Sequence, residues 1–174
     1  MATRQQVALT QKGNREIGNL NSIKIRTLNH GAVVVGEIDN FTLVELGFNT
    51  EGERTATQLS DVTKKSYLIA TPEKRMLGEE LVDFYNAAGE RARIVFLDEG
   101  VRFDTSAFRL NTGVTSIKNG QVAHFDPATK KFVIQESASP VAAYATASKK
   151  FVVVSNESDV VYTSGKALVR LEVQ

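Results

Sequence analysis

Two histidines are the residues of this chain whose type best suits acid–base catalysis or metal binding. His30 lies within an Asn-His-Gly turn signal, and His124 lies beside Phe125 in an apolar segment. Neither has a second histidine at the spacing of a metal-binding pair, and the sequence contains no His-Glu-x-x-His. We therefore interpret both histidines as structural residues rather than ligands.

Two groups of neighbouring carboxylates are the next candidates for chemistry. Glu79 and Glu80 are followed by Asp83, and Asp98 is followed by Glu99. Paired acids cleave glycosides only when they face each other across a cleft at a defined separation. The first group begins a predicted helix, where the helix dipole favours negative charge, and the second lies in a predicted turn. We interpret both groups as structural.

The sequence signatures of several common enzyme classes are missing from the chain. It has no cysteine, which excludes disulfides, thiolate catalysis and cysteine-ligated zinc. Its 12 glycines include no Gly-x-Gly, and neither Gly-x-x-x-x-Gly-Lys nor Gly-x-Ser-x-Gly occurs. We therefore predict a protein that is not an enzyme, with no cofactor and no catalytic, cofactor-binding or metal-binding residues.

The composition is that of an ordinary globular protein with nearly balanced charge. Hydrophobic residues make up 42% of the 174 residues, and the formal net charge is +1. This balance provides no overall electrostatic attraction to nucleic acid or to an acidic membrane. Residues 1–20 lack the apolar core of a secretory signal, and no segment approaches the roughly 18 apolar residues of a membrane helix. We expect neither a membrane nor a nucleic acid as partner.

A local cluster of basic and aromatic residues nevertheless offers a nucleic-acid interpretation. Such residues on one face of a β-barrel form a platform on which bases stack. Interleaved acidic residues weaken this interpretation, because mixed charge opposes the tracking of a phosphate backbone. The basic and aromatic members are Arg91, Arg93, Arg102, Phe103, Phe108 and Arg109, and the interleaved acids are Glu90, Asp98, Glu99 and Asp104.

Three segments of similar sequence each carry a lysine pair directly before an apolar run. They are residues 63–69, 129–134 and 148–153, and their unequal separations exclude a solenoid repeat. A solvated lysine pair protects the start of an aggregation-prone strand, and this is the interpretation we favour. A phosphate-binding role would require the pairs to converge in space.

Short apolar or alternating segments, separated by turn signals such as Asn119-Gly120, dominate the chain from residue 23 onward. One helix is predicted over residues 79–88, where apolar residues recur at helical spacing and Gly89 follows as a left-handed cap. The sequence therefore predicts a mainly β fold with one short α-helix, built as β-barrel or β-sandwich modules with an extended N-terminal arm.

The same pattern divides the chain into three parts. Residues 1–22 are polar, with apolar residues too sparse for a packed element, so we expect an extended arm. Residues 23–89 form a β-rich N-terminal domain that ends in the short helix. Residues 90–174 form a β-barrel-like C-terminal domain, unless the helix is embedded in one fold that includes both parts.

Segments 67–73 and 81–93 resemble small virion proteins of tailed bacteriophages. In these proteins a strand ends at a proline, a short helix carries Phe-Tyr-Asn and a following glycine, and a further strand begins. Segments 97–103 and 117–122 resemble the turn into their small β-barrel-like module. The resemblance extends over residues 30–174, lies in the pattern of elements rather than in one motif, and does not include the arm.

The resemblance implies a capsid decoration (cement) protein that binds the outer surface of a phage shell and reinforces contacts between capsomers. Its partner would be the lattice of the major capsid protein, and association with further copies of the same chain would also be possible. The protein would be made in the bacterial cytoplasm and located in the virion. A tail or baseplate component, and a small β-barrel module that binds nucleic acid or carbohydrate, remain alternatives. For a decoration protein, we expect removal of residues 1–22 to leave the core folded and to weaken shell binding.

Overall fold

The computed structural model of the chain describes residues 13–73 and 79–174. These residues form fourteen β-strands, one α-helix and two 3₁₀ turns. The strands are β1 (Gly18–Leu20), β2 (Ala32–Val34), β3 (Leu43–Phe48), β4 (Arg54–Gln58), β5 (Tyr67–Ile69), β6 (Arg91–Ala92), β7 (Ile94–Val95), β8 (Arg102–Thr105), β9 (Phe108–Leu110), β10 (Val122–Asp126), β11 (Lys131–Gln135), β12 (Phe151–Val153), β13 (Val161–Thr163) and β14 (Lys166–Val173). The helix α1 is Ala142–Thr146, and the 3₁₀ turns are Leu81–Asp83 and Glu157–Asp159.

The first sheet contains β2 to β7 and closes on itself as a small barrel. Its strand order is β6-β2-β4-β3-β5-β7. The two terminal strands, β6 and β7, are separated in the chain by Arg93 alone. One bent strand, residues 91–95, therefore pairs with β2 through its first half and with β5 through its second half. We call this ring the first barrel.

The second sheet closes in the same manner. Its order is β1-β8-β14-β12-β10-β11-β9, and β13 pairs with β14 outside this path. Only Ser106 and Ala107 separate β8 from β9, so the bent strand of residues 102–110 pairs with β14 at one end and with β11 at the other. This ring is the second barrel, and β1 extends it beyond β8.

The two barrels share one strand order and one set of strand directions. In each ring the first and third strands in chain order are parallel, namely β2 with β4 and β9 with β11. The other ring neighbours are antiparallel. Closure by a bent strand pairs strand edges that would otherwise recruit another chain.

The hairpins of both barrels are set by side chains that accept main-chain hydrogen bonds. In the β3–β4 hairpin, the Asn49 side chain accepts the N–H groups of Glu51 at 3.1 Å and Glu53 at 2.8 Å. In the β10–β11 hairpin, the Asp126 carboxylate accepts the Ala128 N–H at 3.1 Å and the Thr129 hydroxyl at 2.7 Å. Asn and Asp are favoured in turns because they make such local bonds.

Each barrel has its own apolar interior, and the second interior also joins the barrels. Small and β-branched residues fill the first barrel: Ala32, Val34, Ile38, Val44, Ala56, Ile69, Ala92 and Ile94. The second is built around the mutually packed rings of Phe103, Phe125, Phe132 and Phe151. The same cluster includes Phe41, Leu43, Leu59 and Leu68 from the first half of the chain, so the outside of the first barrel packs on the second.

The prediction of a mainly β fold with one short α-helix, in barrel- or sandwich-like modules, is confirmed. The helix predicted over residues 79–88 is wrong. One 3₁₀ turn, Leu81–Asp83, forms there, closed by reciprocal hydrogen bonds between Glu80 and Asp83. The backbone is extended again at Phe84, and the α-helix of the fold is α1 instead.

Pairing with a distant strand explains why the helical pattern fails. The main chains of Asn86 and Ile38 exchange two hydrogen bonds, at 2.9 and 3.1 Å. Phe84 and Tyr85 are both buried beside this extended chain, so their apolar character serves packing rather than a helical face. Gly89 does adopt a left-handed φ of 83°, but in the turn before β6 rather than at the end of a helix.

The sheets divide the chain at places other than those predicted. Of the expected arm, residues 1–12 lie outside the described residues, whereas Ile17 is buried and β1 pairs with β8, Gly18 lying opposite Thr105. The expected boundary after Gly89 does not coincide with the change of sheet, because β6 and β7 complete the first barrel.

Candidate functional site

The structure places the two histidines in unrelated surroundings. His30 lies in a turn with φ of 63°, and its carbonyl oxygen accepts a hydrogen bond from the Arg91 guanidinium. His124 lies on the outer side of β10, buried beneath α1, and its ring centroid is 6.5 Å from that of Tyr144. Burial lowers the pKa of the His124 imidazole. The structural interpretation of both histidines stays a prediction.

The carboxylate groups identified in the sequence do not face each other across a cleft. Asp83 closes the 3₁₀ turn and accepts the N–H of Gly13 at 2.6 Å. Asp98 accepts hydrogen bonds from Arg26, with 2.6 Å between Nε and Oδ2, and these bonds lower the pKa of its carboxyl. Each group holds a loop in place.

The basic and aromatic residues do not form an exposed stacking platform. Phe103 is fully buried in the second barrel, on the opposite side of β8 from Arg102. The guanidinium of Arg102 pairs with Glu172, and that of Arg109 pairs with Asp126 at 3.3 Å. The arginines are therefore held in ion pairs along the outside of the sheet.

The described parts of the chain contain no group of three or more His, Asp or Glu side chains arranged to hold a metal ion. Among these same residues, no helix has the length and apolarity required to cross a membrane.

A groove of about 410 Å³ runs along the outside of the first barrel and is the most informative surface for function. We call it the first-barrel groove. Strands β3, β4 and β5 and the segment before β5 provide its walls, which carry both neutral and charged groups. Its lining residues are Glu45, Leu46, Gly47, Thr55, Thr57, Lys64, Lys65 and Tyr67.

Two of the three lysine pairs lie next to each other in the chain fold, and one of them, Lys64-Lys65, lines this groove. The main-chain N–H of Ser148 donates to the carbonyl of Val62 at 2.9 Å, and the Ser148 hydroxyl donates to the carbonyl of Lys64. The pair Lys64-Lys65 therefore lies next to the chain that carries Lys149-Lys150. The third pair lies elsewhere, where Lys131 contacts Glu16 at 3.4 Å.

The ammonium groups of these two pairs have four different partners. Lys64 pairs with Glu45 at 3.0 Å, and Lys149 donates to the carbonyl of Leu97 at 2.6 Å. The ammonium groups of Lys65 and Lys150 lie 5.6 and 5.3 Å from the ring centroids of Tyr67 and Tyr144. The ring face attracts the ammonium group, and of these two lysines Lys65 is exposed. The lysine-bearing end of the groove can accept an acidic or hydrogen-bonding group, while its middle is uncharged.

Sequence reasoning identified the lysines of this site but not its uncharged part. Thr55, Thr57 and Gly47 become neighbours only through the pairing of β3 with β4. Their strand positions place them on the outer side of the sheet, but outward-facing residues are common on every strand. The repeated lysine pairs were the signal available in the sequence.

The chain matches the family model described as YonC prophage protein over residues 11–174. It is also similar to the SPbeta prophage-derived uncharacterized protein YonC of Bacillus subtilis (strain 168). The two are 62% identical over 175 residues, which covers 99% of this chain and 98% of the relative. No solved structure matches the chain.

Proposed function

This chain belongs to the YonC prophage protein family, and from this premise we propose that it is a structural component of a phage particle that binds the outside of the capsid. In this role it is a head decoration protein that reinforces the contacts between capsomers and catalyses no reaction. The observation that carries the proposal is the prophage family, matched over nearly the whole length of a chain built as two joined β-barrels.

The architecture suits a protein that must persist on a particle surface. Both barrels are closed by bent strands, and the second barrel's apolar cluster ties them together. Few strand edges are then left to pair with other chains. A shell presents many identical sites, so modest contacts of each copy add up to firm attachment when they are linked.

The proposed partner is the lattice of the major capsid protein, reached after synthesis in the host cytoplasm. The first-barrel groove offers a binding surface with an uncharged middle and a lysine-bearing end. Self-association on the shell follows if neighbouring copies touch across a capsomer boundary, because lattice symmetry then repeats the contact.

The N-terminal arm needs a narrower role than the sequence alone indicated. Ile17 is buried and β1 pairs with β8, so residues 17–20 are part of the folded protein rather than of a free arm. Removing residues 1–22 is therefore expected to damage the fold as well as any binding. Only residues 1–12, which lie outside the described residues, remain candidates for a separate shell-binding segment.

The test is imaging of particles from the prophage that encodes this chain, with the gene intact and deleted, and with purified protein added back. The proposal requires density over capsomer junctions that disappears on deletion and returns on addition. Density at the tail would replace it with a tail or baseplate role. Absence of the chain from particles, together with salt-sensitive retention on a phosphate-rich resin, would replace it with nucleic-acid binding.

A further inference from the structure

Hydrogen bonds show which positions of the two barrels correspond. The N–H of Phe41 donates to the carbonyl of Ile69 at 2.8 Å, and the N–H of Gly120 donates to the carbonyl of Val153 at 2.9 Å. Phe41 and Gly120 both have a left-handed backbone, with φ of 57° and 86°. Glycine adopts this conformation readily, whereas a left-handed non-glycine residue such as Phe41 is uncommon, so Phe41 shows that the backbone shape is required at this point.

A second set of bonds extends the correspondence to the last strand of each ring. The N–H of Ala70 donates to the carbonyl of Arg93, and that of Val154 donates to the carbonyl of Arg170, both at 3.0 Å. Side chains repeat as well: the Arg93 N–H donates to the Thr71 hydroxyl at 3.1 Å, and the Arg170 N–H donates to the Ser155 hydroxyl at 3.3 Å. The barrels are two copies of one unit.

This correspondence identifies the equivalent residues on the outer faces of the two barrels. Through the registers of β3–β4 and β10–β11, Glu45 corresponds to His124 and Thr57 corresponds to Val133. Leu59, which follows β4, corresponds in the same way to Gln135.

The second barrel covers this face with its own chain. The segment of residues 136–148, which includes α1, connects β11 to β12 across it. The N–H of Val141 donates to the Gln135 side chain at 2.9 Å, and Tyr144 lies over His124. His124, Val133 and Gln135 are consequently only 4%, 2% and 1% exposed.

The first barrel has no such cover, because its β4 and β5 are joined directly by residues 59–66. Its uncovered surface, which we call the open face, consists of outward-facing residues of β2, β3 and β4 and the residue after β2. Val35, beside Thr57, is 57% exposed, one of three large apolar side chains exposed among the described residues. The open face is Val33, Val35, Gly47 and Thr57, and Thr55, between them on the sheet, is buried at 8% exposure.

The open face is continuous with an existing apolar interface. Glu45 and Thr57 are paired across β3 and β4, and the next positions along the strands are Leu43 and Leu59. Both leucines are buried in the contact between the barrels. An occupant of the open face would extend that interface, and the carboxylate at its border, Glu45, is already neutralised by Lys64.

We propose that the open face binds a short uncharged segment of a capsid subunit, in the way that the segment containing α1 covers the second barrel. The chemistry of the occupant follows from that cover, since after Glu136 its residues 137–148 contain no charged side chain. The open face itself also carries no charged side chain, so a charged group placed on it, away from the lysines, would lose its hydration without gaining a partner. The inference rests on the proposed function and specifies the surface that performs it.

The absence of cysteine from the chain permits a direct test. Full-length Val35→Cys and Ile23→Cys are reacted with a maleimide, free in solution and bound to particles that lack the native protein. Ile23 is fully exposed in the loop before Arg26 and lies outside the open face, so it is the matched control. The rate at Val35→Cys is expected to fall at least tenfold on particles, while the rate at Ile23→Cys is unchanged.

Affinity provides the second measurement. Val35→Glu and Thr57→Glu are expected to weaken binding to particles at least tenfold without changing the melting temperature by more than a degree or two, whereas Ile23→Glu binds as wild type. Wild-type occupancy by Val35→Glu, with equal maleimide rates in both states, would overturn the open face and leave the decoration role standing. Failure of the wild-type protein to bind particles would overturn both.

Discussion

Gly18 in β1 lies directly against the ring of Phe41, so closely that a Cβ atom at position 18 would overlap the ring and the main-chain oxygen of Asp104. Phe41 lies between β2 and β3 of the first barrel, and β1 belongs to the second sheet. Glycine is therefore required where β1 packs against the first half of the chain.

We expect Gly18→Ala to destabilise the protein by about 1–3 kcal/mol, because the added methyl forces β1 away from Phe41 and β8. Thermal unfolding measures this as a drop of several degrees. The matched control is Gly36→Ala, where an added Cβ meets nothing within 4 Å and φ is not in the left-handed region. Equal melting temperatures for the two variants would contradict the close approach.

The ion pair between Arg170 and Asp104 is expected to matter more than its counterparts on the surface. The Asp104 side chain is only 8% exposed, and it accepts hydrogen bonds from Arg170 at 2.9 and 3.3 Å. We expect Asp104→Asn to lower the free energy of unfolding by about 1–3 kcal/mol, because it weakens charge-assisted hydrogen bonds at a position largely shielded from water.

Glu53 provides the control for that prediction. It pairs with Arg91 at 2.7 Å, and both side chains are roughly half exposed. Exposed pairs contribute about 0–1 kcal/mol, so Glu53→Gln should lie near wild type in a urea titration. A larger effect for Glu53→Gln than for Asp104→Asn would refute the ranking by burial.

His124 is expected to make the stability of the second barrel depend on pH. Burial lowers the pKa of its imidazole, with Asp126 opposing and Arg109 reinforcing the shift. The unfolded chain therefore binds this proton at a higher pH than the folded one. The stabilisation is complete above the unfolded pKa of about 6.5 and is lost as the pH falls below it.

The measurement is the difference in melting temperature between pH 7.5 and pH 5.0 for wild type, His124→Gln and His30→Gln. The difference should shrink in His124→Gln and persist in His30→Gln, which removes the histidine of the turn. The same difference in all three proteins would show that other groups carry the pH dependence.

Two truncations distinguish the contribution of residues 13–22 to stability from that of residues 1–12. Deleting residues 1–22 removes β1 and the buried side chain of Ile17, which alone is worth about 1.5–3 kcal/mol. Deleting residues 1–12 keeps every described residue. In a denaturant titration, the free energy of unfolding of the variant lacking residues 1–22 should be lower by at least this amount than that of the variant lacking residues 1–12. Indistinguishable unfolding curves would mean that β1 contributes nothing to stability.

Much of the fold follows from local patterns in the sequence. Turn chemistry at Asn49 and Asp126 fixes two hairpins. The segment around Phe84 and Tyr85 shows where such patterns fail. Its apolar spacing fits a helix, but pairing of Asn86 with Ile38, nearly fifty residues away, holds the chain extended. Tertiary contacts of this kind leave no local signal.

For a related reason, only part of the candidate site could be predicted from the sequence. The lysine pairs before β5 and β12 are visible as a repeated pattern, and these strands occupy equivalent places in the two rings. The open face has no motif, because valine and threonine, as at Val35 and Thr57, are ordinary residues in and beside strands. It is recognised only by contrast with its covered equivalent, which requires both strand registers.

The positions of the two bent strands have a consequence for synthesis. The first barrel has all of its strands once residue 95 has left the ribosome, whereas the second cannot close before β14, which ends at Val173. The nascent chain thus carries a completed first barrel whose Leu43 and Leu68 still await the partner that buries them. During that interval this apolar surface is open to chaperones and to other nascent copies, so the slowest and most aggregation-prone stage of production should be completion of the last eight-residue strand.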